Sequence, residues 1–368
     1  MPTILHVLAP AVFGGLESVV RALAGGQARR GNKVHAALVV EPGTEPPLAA
    51  DLATAGVEPH VLRLGARAYL AERSALSQLA RASGASLLHT HGYRSDVIGG
   101  LAGRAVRLPV VSTVHGFIGG SRRGRVNEWV QRRALRRADA VVAVSGPLVS
   151  RLRESGIPAG RVHLIPNAWG PAGAPLSRAD ARAALGLPAE AFVIGWVGRL
   201  GPEKGPDTFV DALGTLGDLP VRVSILGEGQ AGGPLRERTA AAWPGPPVLW
   251  HGLVRDASSY FAAFDLYVLS SRTEGTPISL LEAVAAGVPS VATAVGGVPE
   301  VTGPDGALLV APADAGALAA AIRASVTDRA AAAQRAIRAA DRLATRYAAE
   351  PWLDAHDTLY QTLLTRSR

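Results

Sequence analysis

A chain of 368 residues is long enough for two domains with buried cores, and 48% apolar against 18% charged residues excludes a disordered polypeptide. The formal net charge of +8 is almost all arginine, with lysine only at positions 33 and 204, and it favours anionic partners. The absence of cysteine excludes disulfides, thiolate catalysis and Cys-ligated metals. The opening MPTILHVLAP has an apolar run but no basic n-region and no small-residue cleavage site, so it predicts a first strand over 3–8 and not a signal peptide. Further apolar runs follow at 34–40, 86–90, 109–114 and 140–144, then at 192–198, 221–227, 247–252, 265–270, 289–294 and 307–310. Ala/Arg/Leu-rich stretches of helical spacing, such as 16–30, lie between them.

Strands that are apolar on both faces and alternate with helices predict parallel sheets covered on both sides. Two such series predict two doubly wound domains, 1–168 and 169–345, joined in the Gly/Pro-rich stretch NAWGPAGAPLSR (167–178). The tail, 346–368, carries Trp352, Leu353, Leu359, Tyr360 and Leu363 as apolar anchors, and Pro351 is expected to break or kink it. No apolar stretch is long enough to span a bilayer, so the default expectation is a cytoplasmic protein.

Four stretches carry candidate chemistry. Gly14 and Gly15 lie between the first strand and the helix that follows, where glycine lets the backbone approach a ligand and a helix N-terminus offers N–H groups to an anion. The stretch GRLGPEKG (198–205) follows the first strand of the second series, and its turn allows Arg199 and Lys204 to face one anion. GEGQAG (227–232) has the G-x-G-x-x-G pattern, but it follows the second strand of its series and lacks an acid about 20 residues on, so it reads as the edge of a nucleotide pocket. RTEGTPISLLEA (272–283) holds Glu274 and Glu282 around a turn and a helix that starts near Pro277 or Ile278. Both acids then border the carboxyl end of a strand, where open α/β sheets bind ligands, and a carboxylate accepts hydroxyls of a ribose or a sugar. The plain structural alternative is a capped helix with Glu282 as a partly buried acid.

Two histidine stretches, His89-Thr-His91-Gly92 and Val114-His115-Gly116, end strands of the first series. Singly each is more often structural than functional, and their spacing also suggests a metal, but no acid cluster accompanies them. No D-x-D and no G-x-S-x-G occur, which argues against a metal bridged to a diphosphate and against an esterase elbow.

In order, FGGLE (13–17), TVHG (113–116), IPN (165–167), VGRLGPEKG (197–205), HGLVRD (251–256) and EGTPISLLEA (274–283) resemble the retaining glycosyltransferases of family 4. That resemblance implies the GT-B fold: two Rossmann-like domains facing a central cleft, with a C-terminal helix crossing back to the N-terminal domain. The N-terminal domain would bind the acceptor and the C-terminal domain a nucleotide sugar, a UDP or GDP sugar, with no metal and no other cofactor. Arg199 and Lys204 would clamp the diphosphate with the backbone amides of Ile278 and Ser279. Gly14 and Gly15 would face the diphosphate across the cleft. Glu274 would contact the sugar hydroxyls, His115 would sit near the transferred sugar, Glu282 would hold the ribose, and Val254 and Arg255 would border the base. Gly198, Gly227, Gly275, Thr276 and Pro277 complete the implied donor site. The family's EGFGLP is EGTPIS here, which leaves open which amide meets which phosphate oxygen.

The implied activity is transfer to a polysaccharide, a lipid-linked or a small-molecule acceptor. The alternatives are a nucleotide-sugar epimerase of GT-B-like fold and a non-catalytic nucleotide-binding module. The stretch 121–138 holds seven arginines and an apolar stripe of Val126, Trp129, Val130 and Leu135. It reads either as a basic helix touching anionic lipid, which would place the protein at the inner face of the membrane, or as a surface helix whose stripe is core. Aromatic residues are only 5%, and no motif points to nucleic acid.

Overall fold

The computed structural model describes the chain apart from residues 12–13, 118–121, 171–174 and 367–368 and the side chains of residues 122–123. Phe13, Ser121 and the middle of the 167–178 stretch therefore lie outside the described residues. By its internal contacts the chain divides into two compact units, Met1–Ala168 with Ala349–Arg368, and Trp169–Ala348.

Among the described residues the first unit has seven parallel strands: β1 (Thr3–Leu8), β2 (Lys33–Val40), β3 (Glu58–Arg63), β4 (Leu87–His91), β5 (Val110–Val114), β6 (Ala140–Ala143) and β7 (Val162–Leu164). Their order is β3-β2-β1-β4-β5-β6-β7, so β1 pairs with both β2 and β4 and the winding reverses there. β4, β5 and β6 are buried along their whole length, and none of them shows the alternation of apolar and polar residues expected of a strand with one solvated face.

The helix Ala349–Arg366 belongs to this unit and lies on the helix Gly15–Arg29. Gly26 makes the close approach possible: a Cβ there would meet Leu353 at 2.7 Å. Arg30 then fixes the returning helix through Glu350 (2.5 Å), Asp354 (2.8 Å) and Asp357 (2.7 Å). Pro351 does not break this helix. It sits in the first turn, where the N–H it lacks has no intrahelical acceptor in any case. The unit boundary also falls at 348/349 and not at 345/346, because the helix Arg329–Arg346 continues through 346 and Tyr347 is buried in the core of the second unit.

Among the described residues the second unit has six parallel strands: β8 (Phe192–Val197), β9 (Val221–Leu226), β10 (Leu249–Trp250), β11 (Leu266–Leu269), β12 (Ser290–Thr293) and β13 (Leu308–Val310). Their order is β10-β9-β8-β11-β12-β13. Trp196, Phe209, Phe261 and Tyr267 are its largest fully buried side chains. β10 covers two residues where six were predicted from 247–252. Pro247 has no N–H for the ladder, and Gly252 turns the chain away with φ +67°.

Candidate functional site

β8 pairs with β9 on one side and β11 on the other, so the loops leaving their carboxyl ends diverge at this switch point. Lys204 ends the loop after β8, and its backbone is pinned to the end of β11. Ser270 Oγ lies 3.1 Å from the Lys204 carbonyl and 2.8 Å from that of Gly205, and it accepts from Trp196 Nε1 at 3.0 Å. Gly205 adopts φ +57°, and a Cβ there would sit 2.2 Å from the Ser270 carbonyl oxygen. Arg272 adds a fork onto Asp207 at 2.7 and 2.6 Å, which holds that carboxyl below its usual range.

This scaffold brings Lys204 Nζ to 2.7 Å from Glu274 Oε1, and Ser271 Oγ donates to the same oxygen at 2.6 Å. Glu274 is 7% exposed and Lys204 27%, so the pair is shielded but open to one side. Arg199 is different. It is 58% exposed and its Nε donates to Glu203 at 2.9 Å. The two cations of this loop therefore engage two different acids.

The helix Ile278–Ala285 starts after Pro277, which is extended and has no side-chain acceptor to cap it, so the amides of Ile278 and Ser279 lie at the positive end of the helix dipole. Tyr267, fully buried, donates to Ser279 Oγ at 2.8 Å and orients that first turn. Glu282 is half-buried in the next turn. Gly275, Thr276 and Pro277 are buried, and the Gly297 N–H donates to the Gly275 carbonyl at 2.8 Å.

Gly198 and Gly227 extend the β8 and β9 ladder past the strands. The Gly198 N–H donates to Leu226 O at 3.0 Å, and the Gly227 N–H donates to Gly252 O at 2.7 Å. At Gly227, with φ +151°, a Cβ would lie 1.8 Å from the Gly198 carbonyl oxygen. Val254, in the loop after β10, packs on the core, and Arg255 is exposed beside Asp256 at 3.7 Å.

Gly14, Gly15 and His115 belong to the first unit. Both glycines are exposed at the start of the helix Gly15–Arg29, and Glu17 folds the preceding loop back by accepting from the Ala11 N–H at 2.7 Å. His115, half-buried after β5, is one of five histidines in contact: His6, His89, His91 and His356 are the others, all buried. Nitrogens of His6, His89 and His91 approach one another within 4.8 Å, a spacing a metal can use, yet each ring nitrogen there already has a hydrogen-bond partner. A second such group, His35, Glu58 and His60, lies on β2 and β3.

Burial lowers His6, His115 and His356 to about 4 and holds His89 and His91 well below their ordinary value. The unfolded chain then binds protons that the folded one does not between pH 6.5 and about 4, so stability falls as pH falls through that window. Asp96, raised by burial to about 6, opposes this with one proton. The unfolding free energy is expected to fall below pH 6 by roughly 1.4 kcal/mol per pH unit for each proton of imbalance, and the melting temperature to fall with it. A flat melting profile from pH 7 to 4.5 would contradict it.

Two family models match the chain in succession: "Glycosyltransferase Family 4" over residues 13–169 and "Glycosyl transferases group 1" over residues 191–328. The lipopolysaccharide core biosynthesis mannosyltransferase LpsB of Rhizobium meliloti is 34% identical over 249 residues, 62% of this chain and 67% of that one. A putative teichuronic acid biosynthesis glycosyltransferase, TuaC of Bacillus subtilis, is 32% identical over 255 residues, 64% of this chain and 60% of that one. In fold, the chain is similar to Anabaena HepE in complex with UDP-glucose, with TM-score 0.86 and 22% identity over 98% of this chain and 100% of that one. Matched in order through both Rossmann-like units, this chain belongs to glycosyltransferase family 4 and is a glycosyltransferase of the GT-B fold.

Proposed function

We propose that the chain transfers a sugar from a nucleotide-diphosphate sugar to a glycan, lipid-linked or small-molecule acceptor, with retention of anomeric configuration and without a metal ion. The observation that carries this reading is the shielded Lys204–Glu274 pair at the carboxyl ends of β8 and β11, in the loop that leads into the helix beginning at Ile278. Cleavage of a sugar–phosphate bond builds negative charge on the leaving diphosphate. A lysine, with three protons of which Glu274 needs one, and a helix N-terminus both stabilise that charge. In this reading Arg199 swings from Glu203 to join the clamp, Glu274 positions the sugar hydroxyls and is not a covalent nucleophile, and Glu282 holds the ribose. Gly198 and Gly227 belong to the donor site and Val254 and Arg255 border the base, while Gly14, Gly15 and His115 are the donor contacts proposed in the first unit.

A thermal-shift screen of UDP, GDP and ADP sugars in EDTA tests the donor class. One of them is expected to raise the melting temperature in proportion to the logarithm of its concentration. No shift with any donor until a divalent cation is added would contradict the metal-free reading.

Val126 (61% exposed) and Trp129 (58%) leave the expected apolar stripe of the helix Arg122–Leu135, while Leu135 is buried. The Arg133 guanidinium stacks over Trp129 at 4.8 Å. An exposed tryptophan among arginines suits an anionic lipid surface. Co-sedimentation with anionic vesicles that weakens with salt, and is reduced several-fold by Trp129→Ala, is the expected outcome. Equal recovery with neutral vesicles would end this idea. Among the described residues no helix is long and apolar enough to cross a membrane.

A further inference from the structure

The buried histidines of the first unit form two hydrogen-bonded branches that meet at one amide. Gln27 Oε1 lies 2.8 Å from His6 Nε2, and His6 Nδ1 lies 3.0 Å from His91 Nε2. His91 Nδ1 faces His115 Nε2 at 3.4 Å, the longest link. On the other branch Gln27 Nε2 donates to Tyr360 Oη at 3.2 Å, and that oxygen lies 2.5 Å from His89 Nδ1. His89 Nε2 in turn reaches Thr113 Oγ1 at 2.7 Å.

Counting protons gives the branches a direction. Tyr360 has one hydroxyl proton, and since its oxygen receives the Gln27 N–H, that proton goes to His89 Nδ1. The carbonyl end of the same amide faces His6, so His6 carries its proton on Nε2 and accepts on Nδ1. His91 must then donate from Nε2, which leaves its Nδ1 to accept from His115 Nε2. The far nitrogen of His115 is thereby left without a proton, on a ring that is half-buried. Reversing the amide would reverse every bond in both branches, so the tautomer is the measurable consequence.

We propose that Gln27, His6 and His91 are positioning residues that fix His115 as its Nε2–H tautomer, so that Nδ1 accepts a hydrogen bond from a hydroxyl of the sugar being transferred. The inference rests on the reading of His115 as a sugar contact. Burial supports it: with His6 and His115 lowered to about 4, no ring of this branch gains a second proton at neutral pH. A fixed acceptor favours a hydroxyl at that point of the sugar over any group that lacks a proton, since a buried acceptor left unpaired is costly.

The test is the imidazole ¹⁵N spectrum of the free, full-length protein at pH 7. His6, His91 and His115 are expected to show protonated Nε2 and unprotonated Nδ1. Protonated Nδ1 at His115, an equal mixture of tautomers, or resonances that shift with one equivalent of Zn²⁺ would overturn the relay. Gln27→Met removes both ends of the amide at nearly constant length. It is expected to mix the tautomers of His91 and His115 and to lower kcat about tenfold with less than a twofold change in donor KM, the size of one hydrogen bond. Gln27→Glu keeps an acceptor for His6 and is expected to keep the tautomer and most of the rate. An unchanged His115 tautomer in Gln27→Met would overturn the positioning role. Unchanged turnover in His115→Ala would instead overturn the sugar contact on which the inference rests, and the spectrum of the wild-type protein separates the two failures without any variant.

Discussion

Lys204→Met is expected to lower kcat/KM for transfer by about 10²–10³-fold, the range found for removal of one preorganised donor to a developing negative charge. Lys204 is held in place from two sides. Its carbonyl and that of Gly205 are tied to Ser270 at the end of β11, and its ammonium is tied to Glu274. Methionine keeps most of the stem and loses the charge. Glu274, 7% exposed, then keeps Ser271 as a hydrogen-bond donor but has lost its cation. Because Lys204 is partly open to solvent, the stability cost is on the order of 1 kcal/mol and not the larger figure of a fully buried pair. Steady-state kinetics together with urea unfolding separate the two effects. Loss of activity with a near-native unfolding midpoint supports the assignment, and wild-type kinetics in Lys204→Met would remove it.

A second large effect is expected at a residue that has no side chain. Gly296→Ala should disable the site by displacing Glu274. Gly296 has φ +52°, and a Cβ there would lie 1.8 Å from the Glu274 carbonyl oxygen and 2.7 Å from its carbon. Neighbouring Gly297 holds Gly275 by a hydrogen bond of 2.8 Å, so the acid-bearing loop has little room to retreat. The variant is expected to lose about 1–3 kcal/mol of stability and most of its activity at a temperature where it is folded. Gly287→Ala is the matched control. Gly287 has φ +69° but nothing within 4 Å of a Cβ, so it carries the same type of backbone strain without the collision. It is expected to be mildly destabilised and fully active. Equal activity in both variants would show that the position of Glu274 does not matter.

Much of this architecture is legible in the chain itself. β4, β5 and β6 are buried on both faces, so each opens on apolar residues without a solvated alternate position, and the parallel sheet follows from them. Gly205 and Pro277 mark the two turns of the candidate site because one needs a left-handed backbone and the other suits the entry to a helix. What is not legible is pairing at long range. That Lys204 meets Glu274, 70 residues away, depends on β8 and β11 being neighbours across the switch point. The histidine branches depend on register: His6 lies opposite His89 and Leu8 opposite His91, a relation no local pattern encodes. Tyr360 and His356 join them only because the last helix returns to the first unit. Pro351 misleads as a sequence signal because the same residue that breaks a helix interior is accommodated in a first turn.

The most direct measurement is a crystal structure of the protein with an intact nucleotide-sugar donor, grown in EDTA. Lys204 Nζ is expected within hydrogen-bond distance of a diphosphate oxygen, with the amides of Ile278 and Ser279 turned to the same group and Glu274 on a sugar hydroxyl. A diphosphate bound away from Lys204, or one that enters only with a divalent cation, would contradict it.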